Sequence, residues 1–215
     1  MANMAPDLRP GPHSPPTDEL HSAEDTLGVL QRVLHTIAAD DLSRQTPCAE
    51  FDVAQLTDHL LNSITALGGM VGAEVPERDE ADSVERQVVA AARPALDAWH
   101  RHGLDGSVPF GKTEMPAKSA CAVLSIEFLV HAWDYAAAVG HEINAPEPLS
   151  EYVLGLARKV IRPEFRGEVT ATMVYDGQPV HDHFKKIDDD AVMGIMNGKG
   201  VRDNGRYYYF YLERV

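Results

Sequence analysis

Glu127 and His131 stand four residues apart, and His59 lies far upstream in another stretch of helical spacing. On a helix, residues i and i+4 share one face with Cβ atoms roughly 6 Å apart, so these two side chains can reach a common point. A His from a facing helix completes a set of two imidazoles and one carboxylate. Such a set, with one coordination position left open, is the pattern of catalytic rather than structural zinc. The residues therefore point to an enzyme before they point to a substrate.

Each candidate has a plainer reading. His59 shares its face with Leu56, Leu60, Ser63 and Leu67, which turns the ring inward, and a lone inward His is more often a satisfied core residue than a ligand. An ionised Glu on an apolar central helix must be neutralised, and a divalent cation does this while using the neighbouring His as well. A Glu–His hydrogen bond that only stitches helices together fits the same spacing. Asp134, on the same stripe, could hold a ligand in place or act as a general base, against a solvated carboxylate near the helix end. Tyr135 could line a cavity but suits packing better, and Trp133, off the ligand stripe, is expected in the core. Cys48 precedes a helix start, where the dipole favours thiolate, yet its place suggests structural use; Cys121 sits inside an apolar helix. His181 and His183, with Asp182 between them, would project to one strand face as a second pair lacking a third ligand.

The elements that must position these groups follow from periodicity and caps. Apolar residues at helical spacing predict a first helix over residues 18–39. The second, over 53–67, has Asp52 as N-cap, Gln55 at N3, a Phe51–Leu56 staple, and a stop near Gly68 and Gly69. A third is expected over 83–102, kinked or split at Pro94. Gly103, Gly106, Pro109, Gly111 and Pro116 make 103–118 a long loop, of the kind that often borders a site. The fourth helix, 117–139 with Gly140 as its C′ residue, carries Glu127 and His131 and is apolar on more than one side, as a central helix would be. A fifth, 150–161, is closed by Pro163. Beyond it the period falls to two, predicting strands at 168–175, 179–187, 192–197 and 206–213.

The fold class is thus α+β: an up-down four-helix bundle followed by a small antiparallel β-meander. Residues 1–17, with five prolines by Pro16, read as a disordered tail, 18–162 as the bundle and 163–215 as the β-rich segment. With few large aliphatics, that segment must lean on the helices or pair with a second copy, so a homodimer is a candidate partner.

A chain of 215 residues, 44% hydrophobic and 24% charged, supports one ordinary globular core. A net charge of -14 with 19 Lys and Arg gives no cationic footprint for nucleic acid or anionic membranes. No apolar run approaches the roughly 18 residues of a membrane span, and the proline-rich opening segment has no hydrophobic h-region, so it reads as a tail and not as a secretion signal. Two cysteines make no disulfide scaffold, so a reducing, cytoplasmic location is expected.

Thr46-Pro47-Cys48-Ala49-Glu50-Phe51-Asp52-Val53, continuing to Leu56 and His59, resembles the opening motif of the mycothiol-dependent maleylpyruvate isomerase N-terminal family, within the DinB/YfiT-like metalloenzyme superfamily. Glu127-Phe128-Leu129-Val130-His131-Ala132-Trp133-Asp134, followed by Ala136 and Gly140, resembles its second motif. The resemblance covers about residues 18–161 and departs at Phe51, where many members have Trp. It implies a DinB-like four-helix core holding a divalent metal, commonly zinc, on His59, Glu127 and His131, with Asp134 matching an Asp of the pattern. It further implies a low-molecular-weight thiol, mycothiol, as cosubstrate in isomerisation or S-transfer on a small electrophilic substrate. A non-catalytic bundle that binds metal or a small ligand and dimerises through its β-segment, and a purely structural bundle, are the rival expectations. Residues 169–215 resemble the β-rich domain of unknown function that follows the GXWXG motif in some bacterial proteins, although no GXWXG occurs here.

Overall fold

The computed structural model describes residues 14–160, 164–165, 168–169, 171–174, 180–198 and 207–213. Most of the expected tail therefore lies outside the described residues. The chain is α+β and divides into two compact units, Met1–Val160 and Ile161–Val215.

Local hydrogen bonds set the helix ends. Helix α1, Glu19–Leu34, starts where the Asp18 carboxylate accepts the His21 amide. It stops short of the expected residue 39, because Asp41 accepts the Ala38 amide and opens a 3-10 turn at Ala39–Asp41. Helix α2, Val53–Gly69, has the reciprocal cap its sequence predicts: Asp52 takes the Gln55 amide at 2.8 Å and Gln55 Oε1 takes the Asp52 amide at 2.9 Å. Helix α3, Val84–His102, runs unbroken through Pro94. The carbonyl that Pro94 leaves without a helical partner belongs to exposed Ala90, at the solvent side, and buried Ala91, Ala92, Ala95 and Leu96 hold both halves to the core.

Residues 103–118 are not the long loop expected. Strands β1, Ser107–Phe110, and β2, Thr113–Pro116, pair as a hairpin turning at Gly111, φ 60°. Both strands of a two-stranded ribbon are edges, so Pro109 and Pro116 are tolerated there. Buried Val108 anchors the ribbon.

Helix α4, Ala117–Val139, ends on left-handed Gly140 as expected, φ 73° and ψ 30°. Helix α5, Glu147–Val160, starts before residue 150 because the Pro146 carbonyl accepts the Leu149 and Ser150 amides. Helix α4 packs against α1, α2 and α5, while α3 packs against α1 and α2. Leu30, Leu34, Leu56, Leu60, Ile64, Trp99, Leu124 and Phe128 fill the centre at 0–1% exposure. By length and mean hydropathy of 1.3, α4 could cross a membrane, contrary to the reading of the runs, but half of that stretch is buried among the other helices. The α2–α3 loop is tied across α2 by Arg78, which donates to Asp58 and to Gln87 Oε1, while Gln87 donates to the Asp82 carbonyl.

In the C-terminal unit, β3, Glu164–Phe165, pairs with β4, Glu168–Val169, as a hairpin that the single expected strand at 168–175 did not contain. Strands β5, Ala171–Val174, β6, Val180–Lys186, β7, Ala191–Gly198, and β8, Tyr208–Glu213, form the antiparallel meander in sequence order. Gly194, between Phe184 and Phe210 in the register, leaves room for the Phe210 ring; a Cβ there would sit 2.1 Å from it. Tyr208, Tyr209, Tyr211 and Leu212 of β8 are about half exposed.

At Gly68, α2 passes close against α3, where a Cβ would stand 2.8 Å from Ala95 Cβ, whereas Gly69 meets nothing within 4 Å. Gly68→Ala is expected to destabilise by about 1–3 kcal/mol through overpacking, and Gly69→Ala to be neutral or slightly stabilising. Paired thermal melts check this contrast.

Candidate metal centre

Helix α2 brings His59 towards α4, where Glu127 and His131 are one turn apart. His59 Nε2 lies 3.5 Å and His131 Nε2 3.6 Å from the same atom, Glu127 Oε2. These separations are too long for hydrogen bonds. They match the donor spacing around a tetrahedral ion, roughly 3.3–3.6 Å for bonds of about 2.0–2.2 Å. The three donor atoms all lie within 4.8 Å of one another, and Glu127 Oε2 is buried without a hydrogen-bond partner. The donor set therefore fits a divalent cation, with two neutral nitrogens and one anionic oxygen.

The surroundings fix two of the three groups. His131 Nδ1 and Asp134 Oδ2 are 2.9 Å apart, which directs Nε2 towards Glu127. At 7% exposure Asp134 is not the solvated carboxylate of the plainer reading. Tyr135 is fully buried and its hydroxyl bonds Thr57 at 2.9 Å, joining α4 to α2 beside the site. Burial pushes this phenol well above its ordinary range. His59, with a side chain 39% exposed, is more open than its apolar face predicts. It stacks on Phe51, ring centroids 5.2 Å apart and 24° between planes, and meets His131 edge-on at 5.1 Å. The stack was not visible in the sequence, because Phe51 lies before the helix and periodicity says nothing of its direction.

Other candidates fall elsewhere. Trp133, expected in the core, is 53% exposed, because α4 is apolar all round and pattern alone cannot say which side faces out. Cys121 is buried, and burial first, then the acidic groups of α1, push its thiol up to about 12, so it is inert. Cys48 is half-buried in the loop before α2, its carbonyl accepting from Thr46 and Gln45. His183 and Asp182 are both buried in β6, and the His181 side chain lies outside the described residues. Among the described residues, no group of three metal-competent side chains includes them.

Residues 158–214 match the model of a family described as a domain of unknown function (DUF4334). The chain is similar to an uncharacterized protein of Mycobacterium tuberculosis strain CDC 1551 / Oshkosh and to one of strain ATCC 25618 / H37Rv. Each is 28% identical over 146 residues, covering 67% of this chain and 79% of the relative. No solved structure matches the chain significantly.

Burial opposes charge on both partners, but their mutual attraction prevails. His131 is desolvated yet, through Asp134 and Glu127, raised from 6.5 to about 9. Glu127 is desolvated yet drawn below its ordinary 4.5 by His131, Ser63 and His59. The raised His131 stabilises the fold fully below pH 6.5 and loses this as pH climbs through about 9. The lowered Glu127 does so above 4.5 and loses it as pH falls below. The metal-free protein is thus expected to gain most from this cluster between pH 4.5 and 6.5. Melting temperature against pH in chelator checks this, with the alkaline decline flattened in His131→Gln.

Proposed function

We propose that the helical unit is a DinB-like four-helix bundle whose His59, Glu127 and His131 hold a divalent ion, zinc foremost. In this reading it uses a low-molecular-weight thiol, mycothiol or a close analogue, for isomerisation or S-transfer on a small electrophilic substrate. The supporting observation is Glu127 Oε2, a buried carboxylate oxygen lacking a hydrogen bond and faced by two imidazole nitrogens at 3.5 and 3.6 Å. A buried anion so placed is costly unless a cation compensates it.

The ion, when bound, supplies Lewis acidity that holds a thiol as thiolate near neutral pH. The protein's own groups do the rest. Asp134 fixes the His131 tautomer by accepting from Nδ1, so this residue positions a ligand rather than taking a substrate proton with that oxygen. Glu127 Oε2 is itself buried, while the partly exposed His59 leaves an approach for substrate. A reducing cytoplasmic setting, with both cysteines free, accords with thiol chemistry. The half-exposed aromatics of β8 favour a second reading, a binding bundle without turnover that dimerises through its sheet.

Purified protein is expected to carry one divalent ion per chain by elemental analysis. Zinc at 100 times its Kd should stabilise the fold by about 2.7 kcal/mol, reversed by chelator. His131→Ala should lose the ion; if that variant keeps it in full, the ligand set is wrong. Thiol consumption with activated alkenes should vanish on metal removal, and a metal-loaded protein inactive across such acceptors supports the binding reading instead.

A further inference from the structure

Metal-binding histidines ordinarily hold their second ring nitrogen in a hydrogen bond that fixes orientation. His131 does so through Asp134, but among the described residues His59 Nδ1 has no such partner. What touches the His59 ring instead is Phe51, in an offset stack.

Phe51 is itself held unusually firmly for a residue outside a helix. Its carbonyl oxygen accepts from the Thr46 amide at 3.1 Å, the Thr46 hydroxyl at 2.7 Å and Gln45 Nε2 at 2.8 Å, and its amide donates to the Cys48 carbonyl at 3.1 Å. Thr46 is 4% exposed. The adjacent Asp52–Gln55 cap fixes where α2 begins, and hence the height of His59 above Phe51. Gln45, Thr46 and Cys48 thus all bond the Phe51 backbone, and the Phe51 ring stacks on the proposed ligand.

We propose that Phe51 is a positioning residue for the metal centre: its ring, anchored through Thr46 and Gln45, orients the His59 imidazole so that Nε2 faces Glu127. This rests on the metal reading above and adds to it the device that replaces a hydrogen bond on His59. The site is therefore asymmetric, with one imidazole tethered by charge and the other by a stacked ring.

The test compares Co(II) affinity and visible absorption in the full chain and in Phe51→Leu, Phe51→Ala and Phe51→Trp, with melts to show that each folds. Leucine keeps apolar volume without a ring, and Trp keeps a ring. The expected result is affinity lowered about tenfold or more by Leu and Ala, with an altered cobalt spectrum, while Trp stays within about threefold of the parent. Leucine binding as tightly as the parent overturns the proposal, since packing alone would then suffice. Imidazole NMR of the metal-free chain separates this from failure of the metal reading. If the parent takes up no cobalt, the metal reading falls. The stack still stands if His59 shows ring-current-shifted protons and one rotamer that Phe51→Leu averages out, and it falls if the variant leaves them unchanged.

Discussion

A carboxylate carried into the apolar interior of a helical unit has to be compensated, and the arrangement around Glu127 follows from that demand. Helix α4 is apolar on nearly every side, and Glu127 has a side chain only 21% exposed. Left alone, its charge would cost several kcal/mol. The neighbouring elements answer with nitrogen donors: His131 from the next turn of the same helix and His59 from α2. Asp134 then holds His131 in turn, so acid, imidazole and acid alternate outward from Oε2. This alternation, rather than the helix count, is what makes the centre chemically distinctive.

What the sequence made legible was whatever local hydrogen bonding decides. Asp52 and Gln55 announced the start of α2, Gly140 the end of α4, and the i, i+4 spacing put Glu127 beside His131. Elements decided by tertiary packing were misjudged. Pro94 looked like a break, but buried alanines on both sides keep α3 continuous. The glycines and prolines of 103–118 concealed a ribbon both of whose strands are edges. The close of α1 is the exception among local signals: the Ala38 amide donates to Asp41 three residues on, and the apolar spacing that runs to Ile37 masks that stop. Within the site, neither the openness of His59 nor its stack on Phe51 has a periodic signature. Both depend on the path of a non-helical segment.

The C-terminal sheet solves a different problem with small means. It has few large aliphatics, and its middle is filled by pairing a glycine with aromatics across strands. Phe210 lies over Gly194 and meets Phe184 edge-on at 5.7 Å. The ring thereby covers backbone that glycine would leave bare. Aromatic residues that β8 does not spend this way remain at the surface.

The Arg78 bracket bears on how anything could reach the ion proposed for this site. Asp58 and His59 are successive residues on α2, the first fastened to the α2–α3 loop through Arg78, the second aimed at α4. The Thr57–Tyr135 bond ties the same stretch of α2 to α4 as well. On the proposed reading, the exposed rim of the His59 imidazole is then the approach to the ion, and it is framed by a helix tied on its other flank.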